Sequence, residues 1–213
     1  MNQTTEVYDM AKKDLTKELQ ELYFPPTKGP ISVKVPRMNF LMVHGRGDPN
    51  TSKDFQEAIG ALYSLSYTMK FMLKYGPSKA EHIVMPLETL WWTDKGADFL
   101  TAEKSSWNWT AMIAQPEHVT KDLISKAKAE LARKKKVVPA IDKVKFEAFE
   151  EGLSAEILHT GPYSEERTSI ERLHKFIAES GHKPRGKHHE IYMSDPQRTK
   201  PEKLKTVLRQ PME

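Results

Sequence analysis

The feature that most constrains this chain is a repeat. Read from hydropathy and turn residues, its elements run strand, helix, strand, strand, and that order occurs twice with a basic helix between the copies. Three short matches keep the same order in both copies. "MVHGRGDP" (42–49) resembles "ILHTGPY" (157–163), "TLWWTD" (89–94) lines up with "EIYMSD" (190–195), and "AMIAQP" (111–116) with "TVLRQP" (206–211). Each match is weak alone, and their shared order predicts a duplicated βαββ unit. Trp91 then corresponds to Tyr192, while Glu190 falls opposite Thr89. A carboxylate present in one copy only lies outside the shared scaffold, and that asymmetry favours a functional role.

The elements follow from local signals. An amphipathic opening helix over Glu6–Tyr23 stops before "PPTKGP", where proline and glycine forbid continuation. "SVKVPRMNFLMVHGRGDPN" reads as one long strand. The longest helix comes next: Phe55, Ile59, Leu62, Leu65, Met69 and Leu73 recur at helical spacing, Ser52 caps its start and Gly76 ends it. "HIVMPLETLWWTD" and "SSWNWTAMIAQP" form a hairpin with a long polar connection. Val119, Leu123, Ala127 and Leu131 stripe the basic helix. The second copy is strand "VKFEAFEEGLSAEILHTG", helix "SEERTSIERLHKFIAESG", and strands "GKHHEIYMSD" and "LKTVLRQP". The expected organisation is a helical arm, residues 1–30, and one α+β domain, 31–213. Its first βαββ unit spans 31–116, its connecting helix 117–136 and its second unit 143–212.

Composition narrows the function classes. The 213 residues suit one sizeable core. With 38% hydrophobic and 29% charged residues the chain lies far from the composition of disorder. A net charge of +4 is less than nucleic-acid binders concentrate on one surface, and "ARKKK" at a helix end fits the helix dipole better than a nucleic-acid patch. The absence of cysteine excludes disulfides, thiolate nucleophiles and cysteine-based zinc sites. No signal core and no membrane-length apolar run is present, so a cytoplasmic location without membrane contact is expected. "HHE" with His182 lacks the spacing of a metal site, "GRGD" lacks the rest of a dinucleotide fingerprint, and its RGD triplet reads as chance. No cofactor is expected.

The segment "HHEIYMSDP" (188–196) is the most informative. Strand alternation places His188, Glu190 and Tyr192 on one face and His189, Ile191 and Met193 on the other. From alternation alone, a carboxylate in water or beside a lysine weighs slightly more than a site. Among aromatic rings it has two chemical uses: attracting a lipophilic cation, or acting as a general base when desolvation raises its basicity. Tyr63, Tyr67 and Phe71 form an i, i+4, i+8 stripe on the long helix. Such stripes more often pack a core, but an aliphatic stripe already does that here, which frees these rings to edge a groove, Tyr67 foremost. Trp91, Trp92, Trp107 and Trp109 all fall in two paired strands; Trp91 is the first choice for a pocket, with Trp109 also assigned to it. Tyr163 in "GPYSEE" either closes the groove or packs on the helix start.

"LHTGPYSEE", "HHEIYMSDP" and "LRQP", with "GRGDPN", "FQEAIGALYSLSYTMKF" and "PLETLWW" in the first copy, resemble the GyrI-like small-molecule-binding family. That family lies within a superfamily that also holds the SOUL haem-binding proteins. The resemblance spans roughly residues 6–212 and is greatest to the stand-alone branch. It implies pseudo-twofold symmetry, an antiparallel sheet, and two long helices on one face with a ligand groove between them. It also implies that Glu190 lies on the groove floor, which reverses the odds given by alternation. Hydrolysis of cyclopropane-containing genotoxins is the implied activity. Glu190 would then be the general base, Tyr67 or Tyr163 would orient the water or ligand, and Tyr63, Phe71, Trp91, Trp109, His188 and Tyr192 would line the pocket. The expected ligands are planar hydrophobic or cationic small molecules. The rival implied by the same resemblance is a binding module that sequesters cationic drugs or contacts DNA gyrase. A transcription activator is not expected, because the short arm leaves no room for a helix-turn-helix, and no histidine stands out as a haem ligand.

Overall fold

Two of the long apolar runs break where proline or glycine interrupts them, and the breaks decide the architecture. In the computed structural model, which describes residues 14–77, 79–94 and 101–213, the first run divides at Pro36 into β1 (Ile31–Val35) and β2 (Met38–Arg46). The run "VKFEAFEEGLSAEILHTG" divides into β5 (Lys145–Phe149) and β6 (Gly152–Thr160), with Gly152 at a φ of 69°, open to glycine at little cost. Each run was expected to be one strand. Proline has no N–H for a ladder, and a left-handed glycine turns the chain sharply.

The other strands are β3 (Leu87–Trp92), β4 (Asn108–Gln115), β7 (His188–Tyr192) and β8 (Lys205–Pro211). All eight join one sheet in the order β1-β6-β8-β7-β3-β4-β2-β5, and every pairing is antiparallel. The order is unchanged when β1 and β5, β6 and β2, β8 and β4, β7 and β3 are exchanged, so the duplication is present in the topology. The first strand of each copy pairs with the other copy: β1 edges β6, and β5 edges β2.

The sequence matches locate the copies but not their full register. Thr89 pairs directly with Glu190 across the β3–β7 seam. From that seam one row runs outward through Ala111 to Val43 and the other through Leu208 to Ile157. Val43 is thus equivalent to Ile157, and His44 to Leu158 rather than to His159. A slip of one residue changes the face, so the two histidines of the matched motifs point to opposite sides. Likewise Ala111 is equivalent to Leu208, two residues from the match made by letters.

Two long helices cover the face that carries Glu190. α3 (Lys53–Tyr75) starts at Ser52, whose Oγ accepts from the Phe55 N–H at 3.2 Å, and ends at Gly76. Its Phe55 packs on Trp91 and Trp109. α5 (Glu166–Glu179) sets Ile170, Leu173 and Ile177 on Ala155, Ile157 and Leu208. α4 (Lys121–Arg133) lies outside α3 and buries Ile124, Ala127 and Leu131. The described part of the arm consists of two single turns, α1 (Leu15–Glu18) and α2 (Gln20–Tyr23), broken at Leu19, rather than one helix; residues 6–13 of the expected helix lie outside the described residues. The α2 turn buries Leu22 and Tyr23 on the sheet's other face.

Candidate functional site

Glu190 occupies a row that is otherwise Val43, Ala111, Thr89, Leu208 and Ile157. A carboxylate there is desolvated, and only 9% of the residue is exposed. The Tyr192 hydroxyl, two residues on and on the same face, donates to Glu190 Oε2 at 2.7 Å. His188, the third member of that face, has Nε2 3.7 Å from Glu190 Oε1. Burial, with help from His174 and His189, lowers His188 to about 3, so this contact joins a neutral ring to a carboxylate and is no ion pair.

A second carboxylate reaches the same place from another element. Glu166 opens α5, is buried, and its Oε1 has no hydrogen-bond partner. Burial first, and then the Glu190 charge, push it up to about 9. Glu190 is also raised by burial, while the Tyr192 hydroxyl and the Trp91 indole favour its charged form. The Glu190 charge acts on the buried Glu166, and two interacting carboxyl groups in a dry site favour keeping one proton. The hydrogen bond from Tyr192 selects Glu190 as the ionised member and leaves the proton on Glu166.

Sequence reasoning missed Glu166, because an acid in the first turn of a helix is ordinary. The available signal was its place on the stripe Glu166, Ile170, Leu173, Ile177, where one carboxylate shares the apolar side of the helix.

Buried polar side chains ring the pair. Thr89 is the cross-strand partner of Glu190, Thr206 that of Tyr192, and Trp91 that of His188. Thr206 favours the charged form of Glu166, the Trp91 indole that of Glu190 and Thr89 that of Tyr192, so the polar atoms here turn toward the acids and not toward the surrounding apolar packing.

The aromatic candidates divide. Tyr163 meets Tyr192 edge to face at 5.7 Å between ring centroids, and burial, then Glu166 and Glu190, raise its hydroxyl to about 12. Tyr63 is partly buried and acts on Tyr163; burial first, and then Tyr67 and Asp195, raise its hydroxyl. Trp91 is 3% exposed and packs between Phe55 and Trp107, at 5.5 and 5.4 Å. Tyr67 and Phe71 continue the Tyr63 stack along α3 at 6.2 and 6.3 Å but are 45% and 48% exposed. They form the more exposed part of that stack. Trp109 is wholly buried against Phe55, and a Cβ on Gly45 would collide with its indole, so the ring fills the space over Gly45 as packing.

The other face of the sheet carries charge with no opening to solvent. His189, Arg209, Glu88, Glu151 and Glu156 are all buried there with Tyr23. Among the described residues no group of three or more His, Asp or Glu is placed to hold a metal ion, and no helix is long and apolar enough to cross a membrane. A cleft of about 680 Å³ lies outside α5, between Arg167, Arg172 and Thr160; it shares no residue with the Glu190 group.

Comparison with known proteins agrees with the fold. The family model of the GyrI-like small molecule binding domain matches residues 30–212. A crystal structure of an uncharacterized conserved protein from Listeria innocua is 40% identical, covering 95% of this chain and 100% of its own, with a TM-score of 0.85. Another from Listeria innocua, described as a hydrolase, is 37% identical over the same shares, with a TM-score of 0.82. The EcmrR C-terminal domain, 12% identical, covers 86% of this chain and 96% of its own at a TM-score of 0.52, a likeness of fold alone. No curated protein matches the chain.

Proposed function

The chain belongs to the GyrI-like small-molecule-binding family, and from that premise we propose that it hydrolyses flat, hydrophobic electrophiles of the cyclopropane-containing kind. The observation that carries the proposal is the buried Glu190–Glu166 pair ringed by polar side chains and aromatic rings. The hydrolase description of a relative 37% identical supports it.

The reaction needs one base, one acid and a positioned water. Ionised Glu190 takes a proton from water as the oxygen bonds to the strained ring carbon. The cyclopropane carbon–carbon bond breaks, and its electron pair passes into the conjugated carbonyl. Protonated Glu166 delivers its proton to the resulting oxyanion, and transfer from Glu190 to Glu166 restores the pair. Tyr163, at the mouth of the site, and Tyr63 supply ring faces for a planar ligand. Strain in the substrate supplies most of the reactivity, so holding water and ring carbon together does much of the rest. No cofactor enters any step.

The carboxylate pair also favours a second reading, a binder of lipophilic aromatic cations without turnover. Incubation with a cyclopropane-fused conjugated ketone, followed by mass spectrometry, separates the two. Hydrated product from wild type and none from Glu190→Gln supports hydrolysis. Absence of product from wild type, with affinity for cationic dyes that rises as pH rises through the pair's titration, supports the binder.

A further inference from the structure

The buried histidines have partners of different kinds. His188 stands neutral beside Glu190. His189 has a carboxylate at each nitrogen, Glu151 Oε2 at 2.9 Å from Nδ1 and Glu88 Oε2 at 3.0 Å from Nε2. Burial opposes its charge, yet Glu151 and then Glu88 hold it at about 9 as an imidazolium. His82 meets His118 at 3.2 Å. His159, 6% exposed, differs from all three, because its partner is a hydroxyl that opens on the cleft outside α5.

The fold leaves that place open. β1 pairs with β6 only as far as Glu156, and the cleft of about 680 Å³ lies beyond that point, between the end of β6 and α5. His159 shares the face of Ala155 and Ile157, which α5 covers. Ser169 and Arg172 each precede a member of the buried α5 stripe, Ile170 and Leu173. Both therefore lie along one flank of the helix, and both line the cleft.

The contacts of His159 assign its hydrogen. Nε2 lies 3.3 Å from the Pro162 carbonyl and Nδ1 lies 3.0 Å from Ser169 Oγ. A carbonyl only accepts, so Nε2 carries the hydrogen and Nδ1 presents its lone pair. Ser169 donates its O–H to that lone pair, and the ring is placed to remove the proton. Gly161, at a φ of 141°, keeps the far edge of the ring clear: a Cβ there would lie 3.3 Å from Nε2 and 3.7 Å from Glu165 Oε2. A carboxylate thus stands near the edge that becomes positive when the ring takes a proton. A similar pair, His44 Nδ1 and Thr110 Oγ1 at 2.8 Å, has its threonine sealed at 1% exposure, where no substrate reaches it. Ser169 is half-buried, with the cleft in front of it.

We propose that Ser169 and His159 form a second reactive site, a nucleophile and its general base, which takes small carboxylic esters in the cleft outside α5. Ser169 Oγ bonds to the ester carbonyl carbon as its proton passes to His159 Nδ1. The Pro162 carbonyl holds the ring through Nε2–H, the orienting part a third group plays in such arrangements. Arg172 has no ion-pair partner among the described residues, whereas Arg167 is engaged with Glu171 at 3.0 Å, so Arg172 is the cation that meets the oxyanion. The carbon–oxygen bond of the ester then breaks, the leaving alcohol takes the proton from His159, and the acyl group stays on Ser169. Water gives a proton to His159 as it attacks the acyl carbon. The acid leaves, and that proton returns to Ser169 Oγ. The site shares no residue with the Glu190 group, so neither reading depends on the other.

The test treats the full-length protein with a fluorophosphonate, which phosphonylates activated serines, and maps the adduct by mass spectrometry. The expected adduct is on Ser169, is absent from Ser169→Ala and forms about 100-fold more slowly in His159→Gln, with cleavage of p-nitrophenyl acetate falling in parallel. No adduct, an adduct on another side chain, or an equal rate in His159→Gln overturns the proposal. The chain has no cysteine, so Ser169→Cys adds a single thiol that reports the base without any acyl substrate. Its alkylation by iodoacetamide at pH 7 should run about tenfold faster than that of Ser164→Cys, a control in the same cleft. Equal alkylation rates also overturn the proposal, and this comparison decides if His159→Gln does not fold.

Discussion

The two copies of the βαββ unit have the same strands in the same order and very different polarity. Along the front row the first copy offers Val43, Ala111 and Thr89, and the second Ile157, Leu208 and Glu190. In the equivalent rear rows the first offers Met42, Met112 and Glu88, the second Glu156, Arg209 and His189. The buried charge of these rows is concentrated in the second copy, with Glu88 its one member from the first. A duplicated scaffold needs only its apolar pattern twice, so the charges beyond that pattern mark the copy that carries the chemistry.

The largest expected effect removes the asymmetry at its centre. Glu190→Gln keeps size and most hydrogen bonding but cannot accept a proton, so hydrolysis of a cyclopropane ketone should fall about 100- to 10,000-fold. Binding of a neutral planar analogue, followed by fluorescence titration, should survive. Equal turnover by both proteins would sink the assignment of the base.

Next comes the rear row. Arg209→Met leaves Glu151 and Glu156 buried without their shared partner, which should cost about 3–5 kcal/mol in urea denaturation. The equivalent position in the first copy, Met112, packs without any such partner. A loss below about 1 kcal/mol would mean that the rear charges are as dispensable as their apolar counterparts.

Glu166→Gln sharpens the comparison through pH. Because the folded protein raises this carboxyl to about 9, its contribution is favourable while it is protonated and is lost as pH rises from the ordinary carboxylate range through 9. Wild type should therefore lose melting temperature between pH 6 and pH 9, and Glu166→Gln should lose less. A steeper decline in the variant would place the proton elsewhere.

The smallest effect belongs to the rim. Tyr67→Ala should weaken planar ligands by about 0.5–1.5 kcal/mol, the worth of one ring contact, and leave stability nearly unchanged because the ring is exposed. A drop in turnover as deep as that of Glu190→Gln would move Tyr67 from rim to chemistry.

The sequence by itself determined the duplication, the helix from Ser52 to Gly76 and the face shared by His188, Glu190 and Tyr192. All three follow from local periodicity and capping, which depend on neighbours along the chain. It could not determine that β1 and β5 would cross to each other's copy, since a strand's partner is chosen by distant ladders once Pro36 and Gly152 have freed its end. Nor could it separate Trp109, packed over Gly45, from Trp91 beside Glu190, because both obey the same alternation. Glu166 and Glu190 lie on different elements, and His189 with Arg209, Glu151 and Glu88 on several more. Their protonation states arise from burial and mutual charge, quantities that exist only after the sheet has brought them within a few ångströms of one another. Tertiary structure alone decided which of these acids holds a proton and which histidine carries a charge.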